Sequence, residues 1–318
     1  MMGEQLLDTI KGAFFGAAVG DALGAPVEMM SAEEIREKHG VLREMVGGGW
    51  LRLEPGEYTD DTQMTLAVAR GILADPVSPI EEIGRGFIRW YQSNPKDIGN
   101  TTLMSLRNFL RTGDWKQAAR LTANSLNKPD SNGGLMRTLP VTFGYWDNPS
   151  AMAKWSVEIA CMTHYSQEGS ACSMFYNLLL YLLGKERGDR REMITAALQL
   201  TDRYCRQLNL APNKFFWYII RHIQKNAPRA FPEGGALDTL AAALQCFLEH
   251  DSFEEAVVAA VNRGDDADTA GTLTGGLAGV YYGFRAIPKR WLQALKNTAP
   301  VAEAANGFHR MIRAQQNI

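Results

Sequence analysis

The chain has 318 residues, 46% of them hydrophobic and 21% charged, a balance that supports a soluble globular protein with a large core. A formal net charge of −2 leaves no basic footprint for nucleic-acid phosphates and so excludes that class of partner. Its four cysteines, Cys161, Cys172, Cys205 and Cys246, form no CxxC pair and read as reduced, mostly core thiols.

The first 24 residues, "MMGEQLLDTIKGAFFGAAVGDALG", are apolar, but Glu4 precedes any basic residue and Asp21 interrupts the run before a membrane-spanning length. Neither a signal peptide nor a transmembrane helix is expected, and the expected location is the cytoplasm. Gly12, Gly16, Gly20 and Gly24 recur every fourth residue, as do Gly271, Gly275, Gly279 and Gly283. Residues four apart share a helix face, so each segment presents a glycine groove. Glycine inside a helix costs up to about 1 kcal/mol against alanine, and close backbone approach is the natural compensation. The spacing predicts that these two helices pack against each other and bring the two ends of the chain into one core.

Further along, "REMVGGGWLRLEPGEY" (43–58) reads as a loop or short hairpin, with three glycines and Pro55-Gly56. Apolar residues at spacings of three and four then mark helices in "TQMTLAVARGILAD", "ACSMFYNLLLYLLGKE", "ALDTLAAALQCFLEH" and "FEEAVVAAVNR". Alternating strand patterns are scarce, and no low-complexity linker divides the chain. The expected fold is all-α, one compact domain over residues 1–318 with about a dozen or more helices at ordinary helix and loop lengths.

Two acidic clusters stand at helix starts: Thr59, Asp60, Asp61 and Thr62 in "YTDDTQ", and Asp265, Asp266, Asp268 and Thr269 in "RGDDADT". Aspartate and threonine are good N-caps, but capping accounts for one acid per helix, not two or three. If the clusters converge, carboxylates about 4 Å apart repel by roughly 4 kcal/mol at an effective dielectric of 20. Protonation or divalent cations must relieve that. Oxygen donors without His or Cys select hard ions, Mg2+ or Mn2+, with Ca2+ also admissible.

The segments "GAFFGAAVGDALGAPVE", "YTDDTQ", "SNGGLMR", "MTH" and "RGDDADTAGTLTGGLAGVYYG" resemble, in order and from about residue 10 to 285, the motif series of the ADP-ribosylglycohydrolase family. "PKDIGN" and the form "GDDADT" are similar to the dinitrogenase-reductase-activating branch, which removes ADP-ribose from an arginine of dinitrogenase reductase. The resemblance implies an all-α fold with a binuclear Mn2+ or Mg2+ cleft, whose ligands would be Thr59, Asp60, Asp61, Asp266, Asp268 and Thr269. Asp265 stands where many relatives have glycine, and a helix-capping or water-binding role is assigned to it. Asp97 and Glu28 match acidic residues of the family's site and, with Asp61, form the expected catalytic set. The 43–58 loop is expected to move with Glu28 as a lid.

Contacts to ADP-ribose are expected from Gly99 and Asn100, from Ser131, Asn132, Gly133 and Gly134 ahead of a helix, and from His164 as a stacking ring. An ordinary turn is the plain alternative for each glycine motif. Arg137 reads as an internal ion pair rather than a phosphate clamp, and Asp21 as holding the end of the glycine helix. The implied reaction is hydrolysis of the N-glycosidic bond to an arginine guanidinium of a modified protein. The alternatives are another arginine-modified target such as a toxin's, a non-catalytic ADP-ribose-binding regulator, and an all-α metal-dependent nucleotide phosphohydrolase, which would also use clustered acids.

Overall fold

The structure, a computed structural model, describes residues 2–126, 130–213, 216–217 and 235–316. Among these residues there are fifteen α-helices and no strand, only the isolated bridges Ser31–Gly264, Gly48–Leu53 and Ser131–Gly235. No helix of the described residues is long and apolar enough to cross a membrane. The residues group into two compact units, one of 1–66, 183–187 and 242–318, the other of 67–182 and 188–241.

The first unit is built on α1 (Met2–Gly24). It continues through α2 (Ala32–His39) into the opening turns of α3 (Asp60–Ala74). Later segments complete it: α12 (Phe253–Val261), α13 (Ala267–Tyr282), α14 (Lys289–Ala294) and α15 (Thr298–Gln316). α1 and α13 run antiparallel in backbone contact. A Cβ on Gly12 would stand 2.1 Å from the Gly279 carbonyl, on Gly16 2.2 Å from that of Gly275, and on Gly20 1.9 Å from that of Gly271. The expected glycine pairing is therefore present, with Gly24 meeting Ala267 as its last member. Around this pair Phe14 stacks on Phe308 and Phe15 lies edge-on to Phe284, at 5.7 and 5.1 Å. Ser31 caps α2 in a box with Glu34, and Ser252 caps α12 through the Glu255 amide.

The second unit takes the rest of α3, then α4 (Ile80–Gln92), α5 (Asn100–Thr112), α6 (Trp115–Ser125), α7 (Pro140–Gly144) and α8 (Pro149–Ala160). It also takes most of α9 (Gln167–Glu186), α10 (Arg190–Gln207) and the first residues of α11 (Ala236–Glu249). Trp115 ties its helices together, stacked at 3.7 Å on Phe109 and edge-on to Phe87. All four cysteines are free, three of them buried and Cys161 partly so.

Candidate metal centre and ligand-contact residues

In the first unit the glycine contact sets the site. Because α1 and α13 touch through their backbones down to Gly24 and Ala267, the C-terminal end of one lies beside the N-terminal start of the other. Asp21, fully buried near the end of α1, turns its carboxylate onto the first turn of α3. It accepts from the Thr59 amide (2.9 Å), the Thr62 amide (3.0 Å), the Thr59 hydroxyl (2.9 Å) and the Thr62 hydroxyl (2.6 Å). These amides would otherwise lack helical partners, so Asp21 acts as an N-cap supplied from another helix. Asp21 thus does more than hold its own helix end.

Pinned in this way, the start of α3 faces the start of α13. The Thr59 hydroxyl lies 3.5 Å from Asp268 Oδ2, and the Thr269 hydroxyl 3.4 Å from Asp61 Oδ2. Thr59, Asp60, Asp61, Asp268 and Thr269 are all buried, and Asp266 is half-buried at the N-cap of α13. Two helix N-termini meeting here favour negative charge. The structure thus brings together the two clusters that stand about two hundred residues apart in sequence.

Glu28 joins the same region, with a carboxylate oxygen within 4.8 Å of one from Asp268. The turn that carries it is braced by the acidic loop: Met29 donates its amide to the Asp265 carbonyl and Asp265 donates to the Met30 carbonyl, at 2.8 and 2.7 Å. Asp265 has φ +55°, a left-handed conformation open to Gly, Asn and Asp. This corrects the expected capping role. Asp266 is the N-cap, while the Asp265 side chain is exposed and the residue serves a backbone turn that glycine also forms readily.

The electrostatics follow from burial. Asp268 is pushed well above the usual carboxylate range by desolvation first, then by the charges of Asp266, Asp61, Glu28 and Asp21. Asp21 is raised to about 6 by burial, opposed by its four hydrogen bonds from Thr59 and Thr62. A largely buried set of carboxylate and hydroxyl oxygens, without histidine or sulfur, fits a hard divalent cation.

The remaining expected site residues lie in the second unit. Asp97 is half-buried in the loop before α5; Gly99 caps that helix and Asn100 begins it, both exposed. Ser131 donates to the Thr101 hydroxyl and Asn132 to that of Thr239, each at 3.0 Å. Asn132–Gly134 form a single 3-10 turn whose Asn132 carbonyl receives the amides of Leu135 and Met136. The α-helix expected directly after this motif begins only at Pro140.

His164 is buried under the glycine pair. A Cβ on Gly133 would stand 2.9 Å from its ring, and on Gly134 3.0 Å from its Cβ. Arg137 donates to the Thr163 hydroxyl at 2.7 Å, and the same hydroxyl is hydrogen-bonded to His164 Nδ1, also at 2.7 Å. Burial, and secondarily Arg137, hold His164 well below the usual histidine value and therefore neutral. Arg137 also donates to the Ile159 carbonyl and stands 4.7 Å over the Phe87 ring. Arg137 is buried inside the fold, and these contacts are with neutral acceptors and an aromatic face rather than the expected ion pair.

Sequence reasoning passed over Thr163, the cross-helix function of Asp21, and Trp50, whose indole donates to Glu28 Oε2 at 2.7 Å. An Asp at a helix end and a Trp beside three glycines were the available signals.

A helical fold whose acidic helix starts converge in this way is matched by the family model described as ADP-ribosylglycohydrolase over residues 2–317. The chain belongs to the ADP-ribosylglycohydrolase family and is an enzyme of that class. It is 34% identical to the ADP-ribosyl-[dinitrogen reductase] glycohydrolase of Rhodospirillum rubrum over 296 residues, covering 93% of this chain and 92% of the relative. It is 30% identical to the ADP-ribosylarginine hydrolase Tri1 of Serratia proteamaculans (strain 568), over 95% of this chain and 79% of that one. A solved structure titled "ADP-ribosylglycohydrolase-related protein complex" matches with a TM-score of 0.78 and 35% identity, covering 97% of this chain and 99% of its own.

Proposed function

We propose that the chain hydrolyses the N-glycosidic bond joining ADP-ribose to an arginine side chain of a protein, with the aid of two divalent cations, Mn2+ or Mg2+. The observation that carries the reading is the buried meeting of the α3 and α13 starts, where Thr59 stands against Asp268 and Thr269 against Asp61. Thr59, Asp60, Asp61, Asp266, Asp268 and Thr269 would hold the cations. Divalent cations held by these residues would supply Lewis-acid polarisation of bound oxygens and a lowered pKa for bound water.

The chain's own groups do the rest. Asp21 fixes the α3 start against α1, so that Thr59 and Asp61 keep their places when substrate arrives. Asp97 or Glu28 handles the protons, one to be taken from the attacking water and one to be given to the departing guanidine. Gly99, Asn100, Ser131, Asn132, Gly133, Gly134 and His164 are proposed contacts to ADP-ribose. A neutral His164 offers a ring face or its Nε2 without placing a charge there.

Arginine linkage is supported by the name of the relative from Serratia, and dinitrogenase reductase as target by the name of the relative from Rhodospirillum. Another arginine-modified protein is the second reading, on the strength of the Tri1 match, and the proposed compartment is the cytoplasm. Release of ADP-ribose should be measured from arginine-modified dinitrogenase reductase, from an unrelated arginine-modified protein and from a serine-linked one. Turnover of the arginine-linked pair alone is expected. Cleavage of the serine linkage alone refutes the reading, and equal rates on the two arginine proteins favour the broader target.

A further inference from the structure

The loop 43–58 is fastened at both ends. Arg43 pairs with Glu255 at 2.9 Å and receives the Trp291 indole on its carbonyl at 2.8 Å, while Glu44 pairs with Arg290 at 2.8 Å. At the far end Gly56 lies so close to Ala294 that a Cβ would stand 1.9 Å from its carbonyl oxygen, and Lys296 donates to the Gly56 carbonyl at 2.8 Å. Between these anchors Gly47, Gly48 and Gly49 all have positive φ, of 65°, 88° and 68°. The tip closes through reciprocal Gly48–Leu53 hydrogen bonds of 2.7 and 2.9 Å.

This tip is seated on the turn that carries Glu28. Gly49 packs on Pro26, where a Cβ would lie 2.9 Å from the carbonyl oxygen, and Leu51 and Leu53 bury themselves against Ala25. Trp50, between these two anchors, remains 56% exposed. Its ring is therefore not there to fill the core, and its directed contact is the 2.7 Å hydrogen bond to Glu28 Oε2. A charge-assisted bond of this length fixes the rotamer of a carboxylate that already lies within 4.8 Å of Asp268.

We infer that Trp50 is a positioning residue for Glu28: the glycine tip lays the indole N–H on a carboxylate oxygen and so fixes where that carboxylate stands at the acidic centre. The inference rests on the reading that Glu28 takes part in turnover. Trp50→Phe keeps an exposed ring and removes only the donor. It should lower kcat about fivefold to tenfold with KM unchanged, and cause no further loss in a Glu28→Gln background. The Trp50 indole proton, assigned by NMR from its disappearance in Trp50→Phe, should move upfield in Glu28→Gln. Unchanged kcat in Trp50→Phe, an equal fractional loss in both backgrounds, or an unmoved indole resonance overturns the inference. Full turnover in Glu28→Gln overturns instead the role of Glu28 beneath it.

Discussion

The Asp21 carboxylate, at the end of α1, accepts both the amide and the hydroxyl of Thr62 on α3, at 3.0 and 2.6 Å. Through this bond, and its counterparts to Thr59, one buried acid sets where the first acidic cluster stands. Asp21→Ala would leave two amides and two hydroxyls buried without that acceptor. The expected cost is about 3 kcal/mol or more in denaturant unfolding of the chelated protein, with weakened Mn2+ binding. A change under about 1 kcal/mol would mean that the α3 start is held by something else.

Gly20 offers the sharpest test of the helix pair. A methyl there would have to occupy space 1.9 Å from the Gly271 carbonyl oxygen, so Gly20→Ala must force α1 and α13 apart. Its expected effect is loss of soluble protein or destabilisation of about 3 kcal/mol or more. Gly40→Ala is the control, with nothing within 4 Å and only a strained backbone of φ +67° and ψ −108° against it, and it should cost less, about 2 kcal/mol. Equal behaviour of the two variants in thermal unfolding would contradict the packing argument.

His164 gives a pH dependence with a definite sign. Its folded-state value is held well below 6.5 by burial, whereas the unfolded chain titrates near 6.5. Below that pH the unfolded state binds the extra proton, so stability is complete above about 6.5 and falls as pH drops, by at most about 1.4 kcal/mol per pH unit. Proton uptake on unfolding at pH 5.5, roughly one unit below that value, should be reduced in His164→Asn relative to the parent. Identical uptake would show that His164 is charged in the folded protein.

The acidic centre predicts a linkage between cation and stability. Asp268 is raised by burial and by four neighbouring acids, so a divalent cation binding there should release a proton and raise the unfolding temperature of the chelated protein. Asp268→Asn and Asp61→Asn should remain folded without added cation, yet lose that rise. A shift with Mn2+ equal to the parent's in both variants would place the cations elsewhere.

Much of this was legible in sequence, for reasons that differ residue by residue. The four-residue glycine spacing identifies a helix face, and only close backbone contact makes such a face stable, so the packing of the two helices followed from periodicity, while the Gly12–Gly279 to Gly20–Gly271 register needed the structure. Charge too dense to be capping raised convergence of the two acidic clusters only as a condition; the family resemblance supplied the shared ligand set, and the structure sets Thr269 against Asp61. Asp21 stayed hidden because its partners are on α3, and local sequence reports only on its own helix. The left-handed turn at Asp265 looks like a family departure until φ is known, and is then a conservative one. Trp50 meets Glu28 only because three glycines fold the intervening loop back.

The proposed cation-dependent, arginine-specific hydrolysis at the meeting of α3 and α13 is best tested by ADP-ribose release from an arginine-modified protein by chelated enzyme, before and after Mn2+ or Mg2+ is restored, in the parent and in Asp268→Asn. Activity is expected only in the parent with cation restored. Full release by the chelated parent, or by Asp268→Asn, would contradict it.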